Sequence, residues 1–153
     1  MLRANLVAAA VLWCACGSSP PLDPSFSGTW QGSATFDLTG VPSYFISPGP
    51  EMVVAVSGTT GTISNICPGA TGTANISGSG NVATFPGNVV CPAWTATGTW
   101  TCASVVFTYT SGTVTLFRGD AVEPKTLAVD ASGTAVGCGT TYPAKATLYG
   151  TKL

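Results

Sequence analysis

The chain has 153 residues, enough for one domain and too few for two of ordinary size. Mean hydropathy is +0.40 and only 7% of residues are charged, the reverse of the balance that keeps chains disordered. Five basic residues against six acidic ones, with no basic run, exclude nucleic-acid binding by phosphate neutralisation and membrane binding by surface charge.

Met1-Leu2-Arg3 is a short positive start, and residues 6–13, LVAAAVLW, form an uninterrupted apolar run. With Ala15 at its end, the segment reads as a secretory leader over residues 1–15. The run is too short to cross a bilayer, which takes about 20 residues. Cys14-Ala15-Cys16-Gly17 resembles the lipobox of bacterial lipoproteins, in which a Cys after a small residue is lipidated and becomes the mature N-terminus. Cys16 fits, between Ala15 and Gly17; Cys14 fits poorly, because Trp13 stands where the small residue belongs. The resemblance implies lipid on Cys16, and Gly17 in place of Asp implies the outer membrane; periplasmic location or simple secretion is the alternative. Residues 16–26, rich in Pro, Ser and Gly, then read as the lipidated Cys and a tether, with the domain over residues 27–153.

Along that domain, Trp30, Gly32, Ala34 and Phe36 alternate with Gln31, Ser33, Thr35 and Asp37, which predicts a half-buried strand over 28–37. A proline-containing loop, 38–50, follows. Strands are predicted over 51–57, 62–67, 71–77 and 81–86, then a looser stretch over 87–101. Strands over 103–110 and 113–118 are expected to turn at Ser111-Gly112, and strands over 125–130 and 134–138 at residues 131–133; 144–152 closes the chain. About eight to ten short strands with Gly-containing links, and no helix, point to an all-β antiparallel up-and-down barrel or a β-sandwich.

Six cysteines are present. With Cys14 lost in the leader and Cys16 lipidated, Cys67, Cys91, Cys102 and Cys138 remain, an even set that reads as two disulfides in an exported domain. Zinc would call for close Cys or His pairs, and histidine is absent. Following the strands up and down puts all four at the pole opposite the tether. Cys91–Cys102 with Cys67–Cys138 is the favoured pairing, because it clips the loose segment and closes the longest loop; Cys67–Cys91 with Cys102–Cys138 is the rival.

Gly28-Thr29-Trp30 opens the first strand and Tyr149-Gly150-Thr151-Lys152 ends the last. This resembles lipocalin-type barrels, whose first strand begins with G-x-W and pairs with the last. The resemblance implies that Lys152 packs on Trp30. It also resembles small Gly/Thr-rich lipoproteins of unknown function.

Without histidine the usual proton shuttle is missing, and no nucleophile elbow, phosphate loop or dinucleotide motif occurs. Asp120 and Glu123, near Lys125, read as a solvated turn, and Asn75-Ile76-Ser77 as a chance triplet. Trp30, Phe36, Phe107 and Tyr109 are expected in the core, and Trp94 and Trp100 as a cap on it rather than the lining of a mouth. The expectation is therefore a non-enzymatic lipoprotein with no catalytic residues, metal or cofactor. It would be membrane-anchored and either display its surface to an envelope partner or carry a small apolar ligand. A side-chain-filled interior argues for the first; a carrier needs roughly 300 Å³ of cavity.

Overall fold

The computed structural model describes residues 18–69, 71–97, 101–117, 119 and 125–153. Period-two alternation of Val, Ile, Phe and Ala with Thr and Ser gives strands with one apolar face. Among the described residues there are ten: β1 (Gly28–Leu38), β2 (Tyr44–Ile46), β3 (Met52–Ser57), β4 (Thr60–Cys67), β5 (Thr71–Ser79), β6 (Val82–Val90), β7 (Trp94–Ala96), β8 (Cys102–Phe117), β9 (Thr126–Gly137) and β10 (Thr140–Lys152). All pairings between them are antiparallel. They run β3-β4-β5-β6-β8-β9-β10 around the molecule, and β1 joins β10 to β3. Eight strands thus close a barrel, which removes the sheet edges a sandwich would leave. The two short strands are additions: β2 pairs with the upper half of β1, and β7 with the start of β8.

The inward faces fill this barrel. Trp30, Phe36, Met52, Ile63, Ile66, Ile76, Phe85, Phe107, Tyr109, Leu116 and Leu127 are all fully buried in one continuous cluster. Each side chain of this kind contributes roughly 1.5–3 kcal/mol on burial, and among the described residues no polar or charged one is buried with them. At the base the chain enters through a 3₁₀ turn, Pro24–Phe26. The Leu22 amide bonds the Gly58 carbonyl at 2.8 Å, and the Asp23 amide bonds the Gly80 carbonyl at 2.7 Å. Leu22 and Phe26 are buried. Residues 22–26, expected from sequence to be tether, pack against the base of the barrel.

The pairing implied by the lipocalin resemblance is present. Trp30 faces Lys152 across β1 and β10. The Lys152 ammonium lies 5.6 Å from the Trp30 ring centroid and donates to the Ser27 carbonyl at 2.6 Å, a cation–π contact. The Trp30 indole N–H donates to the Phe26 carbonyl at 2.9 Å, so the base turn, the first strand and the last strand are locked together.

Two expected turns do not form. Ser111-Gly112 lies inside β8, and residues 131–133 lie inside β9. In β8 the register shifts between Tyr109 and Ser111, so the buried phase changes from Val105, Phe107 and Tyr109 to Val114 and Leu116. The interruption is a β-bulge, not a reversal. Gly112 sits opposite Phe85, and a methyl group there would overlap the ring. In β9 the pairing of Ala131, Ser132 and Gly133 to both β8 and β10 overrides their turn chemistry. Each missing turn reverses the strand direction once, so the two cancel and the polarity of the remaining strands is as expected.

Candidate functional site

The pole opposite the base is where the sequence concentrates its irregular chain, and it is held by covalent bonds. Cys67 ends β4, Cys91 follows β6, Cys102 opens β8 and Cys138 follows β9, so all four gather at this pole. Two disulfides form, Cys67–Cys91 and Cys102–Cys138, with Cα separations of 5.5 and 5.7 Å. The favoured pairing from sequence is thus corrected to its rival. The reason is lateral order: β8 and β9 are neighbours, so Cys102 and Cys138 meet at one end of that strand pair. Cys67 and Cys91 meet because β4 and β6 flank β5.

The Cys67–Cys91 bond has a specific mechanical task. Strands β5 and β6 pair only between Ser77–Ser79 and Val82–Thr84. Beyond that they diverge, with bulges in β4 before Cys67 and in β6 after Pro86. The disulfide ties the outer strands of this opening together. The Tyr109 hydroxyl reaches across as well, donating to the Ile66 carbonyl at 3.4 Å. Burial raises the Tyr109 pKa well above its ordinary value of 10.0, so the hydroxyl stays protonated.

Over the core lies an aromatic lid. Tyr44 on β2 and Trp94 on β7 meet edge to face with ring centroids 4.4 Å apart. Trp94 packs on Phe107 at 6.5 Å, and Phe107 on Phe36 at 5.3 Å. Trp94 therefore caps the core, as expected from sequence. Both lid strands came from segments read as loop; the missed signal was Tyr44-Phe45-Ile46, an aromatic and β-branched triplet between prolines. Phe45 points outward and is 63% exposed, and Val90 near the Cys67–Cys91 bond is 62% exposed. At this pole the Cys67–Cys91 bond holds the chain beside Val90, while Phe45 is carried by β2 on the β1 side of the barrel.

The remaining candidates do not converge. Asp37 and Asp130 lie exposed on the outer faces of β1 and β9, with Lys145 of β10 opposite Asp37. Lys125 is exposed at the base and donates to the Ser25 hydroxyl at 2.8 Å. Asn75 is exposed on β5 while Ile76 beside it is buried. No group of three His, Cys, Asp or Glu side chains among the described residues is placed to hold a metal. Two open grooves, of about 510 and 580 Å³, run along the outside of the barrel. The first is lined by Asp130, Lys145 and several hydroxyls, the second by Val56, Gly61 and Ile76. Cys14, Cys16, Trp100, Asp120 and Glu123 lie outside the described residues. No family model, curated protein or solved structure matches the chain.

Proposed function

We propose that this protein is a non-enzymatic, lipid-anchored lipoprotein of the bacterial outer membrane, with lipid on Cys16, and that its disulfide-held pole engages an envelope partner. The observation that carries this reading is the packed interior. A barrel filled from Trp30 at the base to Tyr44 and Trp94 at the lid leaves its outer surface and its pole as the places to bind. The anchored segment enters at the base and the apolar display of Phe45 and Val90 lies at the other end. The same packing speaks against the carrier alternative. Catalysis is disfavoured by the absence of histidine and by the dispersal of Asp37, Glu51 and Asp130 over different strands and loops. The test is titration of the purified protein with cis-parinaric acid, a fluorescent fatty acid. No saturable binding is expected. One equivalent bound, and lost in Ala34→Phe, would establish an interior site and overturn the proposal in favour of a carrier.

A further inference from the structure

The proposed lipid anchor, taken with the structure of the base, leads to a second membrane contact. The chain is fixed at Pro21, whose carbonyl accepts from the Gly80 amide at 3.0 Å. Only five residue steps separate Cys16 from Pro21, so a lipid on Cys16 holds this point within about 18 Å of its attachment even when the segment is fully extended. The barrel cannot stand clear of the bilayer on so short a connection.

Among the described residues, the side of the base beside this entry point carries three exposed large hydrophobic side chains. Val82 begins β6 two residues after Gly80 and is 41% exposed. Asn81, between them, is bonded to β8: its carbonyl accepts from the Leu116 amide at 2.9 Å, and its side-chain amide donates to the Leu116 carbonyl at 3.2 Å. The next residue, Phe117, is 53% exposed. The register row Val82, Thr115, Ala128, Tyr149 crosses four strands; Tyr149 at its end is 49% exposed, while Thr115 is half-buried and Ala128 buried between the ends. Large apolar side chains grouped at one rim mark a contact surface, and aromatic residues suit the lipid–water interface because ring and hydroxyl find different surroundings there. Charge does not select the partner: the segment between β8 and β9 carries Arg118, Asp120, Glu123 and Lys125, which balance in sequence.

We infer that Val82, Phe117 and Tyr149 seat the β6–β8–β9–β10 side of the base against the bilayer, making the protein lie on the membrane by a lipid and an apolar rim together. This rests on lipidation of Cys16, and the experiment separates the two. Full-length lipidated protein is reconstituted into phosphatidylcholine vesicles with or without bromine at the 6,7 positions of one acyl chain. Two variants each add a tryptophan: Phe117→Trp at the base and Val90→Trp at the far pole. Flotation reads the anchor and quenching reads the seat. The added emission of Phe117→Trp is expected to fall roughly twofold with brominated lipid, since the top of the acyl chain adjoins the interface, while Val90→Trp is unaffected. Flotation without quenching of Phe117→Trp, or equal quenching of both variants, overturns the seat and leaves the anchor standing. Protein that fails to float overturns both.

Discussion

Removing the Cys67–Cys91 disulfide should open one side of the barrel rather than weaken it evenly. In the double variant Cys67→Ala/Cys91→Ala the bond closing a separation of 24 residues is lost, worth about 3.5 kcal/mol by the chain-entropy relation. The same relation gives about 4 kcal/mol for the Cys102–Cys138 separation of 36 residues. Global stability from urea unfolding should therefore fall by similar amounts in the two double variants, with Tm lower by roughly 10 °C in each. Their local effects should differ. Strands β8 and β9 are paired from Phe117↔Thr126 to Val105↔Gly137, right up to Cys102 and Cys138, so that ladder persists without its bond. Strands β5 and β6 share only three paired positions, so without Cys67–Cys91 the upper half of this opening depends on the Tyr109–Ile66 hydrogen bond and on side-chain packing. Native-state hydrogen exchange is the assay. In Cys67→Ala/Cys91→Ala, amides of 71–74 and 87–91 should exchange at least tenfold faster, relative to β9 and β10, than in the parent. In Cys102→Ala/Cys138→Ala they should keep the parent's ratio. Uniform acceleration along the chain, or no fall in stability, would refute the assignment of this disulfide as the clamp of the β5–β6 opening.

Other perturbations probe the core and the base. Gly112→Ala should cost about 1–3 kcal/mol by driving a methyl into the buried Phe85 ring, measured by urea unfolding. Trp30→Ala should cost about 4 kcal/mol and Lys152→Ala about 1 kcal/mol, because the first empties the base while the second removes an exposed cation over the ring and its bond to the Ser27 carbonyl. Tyr109 should make the fold sensitive to alkali. Its folded pKa is raised above the unfolded value of 10.0, so its contribution is fully present below pH 10. Above that the unfolded chain ionises first, and stability should fall by about 1.4 kcal/mol per pH unit. Tyr109→Phe should remove that slope, at the cost of the bond to Ile66.

Strand positions were legible wherever inward and outward residues kept one phase, as in β1, with Trp30, Ala34, Phe36 and Leu38 buried, and in β10, with Ala144, Ala146 and Leu148 buried. Reading failed where phase changed inside a strand. Around Ser111 the alternation breaks because a bulge re-aims the chain, and Gly112 serves the Phe85 ring rather than a reversal. Local sequence does not distinguish those two uses of glycine. The gathering of four cysteines at one pole followed from strand polarity alone. Their pairing needed the order of strands around the barrel, which loop-closure entropy does not encode. At the base, Leu22 and Phe26 stand among Pro, Asp and Ser and read as spacer. Their packing under the barrel is a tertiary fact with only a weak local trace, two apolar residues four positions apart. The lid escaped notice for a similar reason: Tyr44 and Trp94 are distant in sequence and meet only once the barrel is closed.

Intact mass spectrometry of the mature protein from envelope membranes, taken with and without a thiol-alkylating reagent, tests the proposed lipid anchor and the two disulfides together most directly. The proposed anchor requires a mature chain that begins at Cys16, heavier than its sequence by a lipid group. It should be unreactive to the reagent until reduced, when Cys67, Cys91, Cys102 and Cys138 react. A mature chain that begins elsewhere with no added lipid mass, or one whose four cysteines react without reduction, would contradict it.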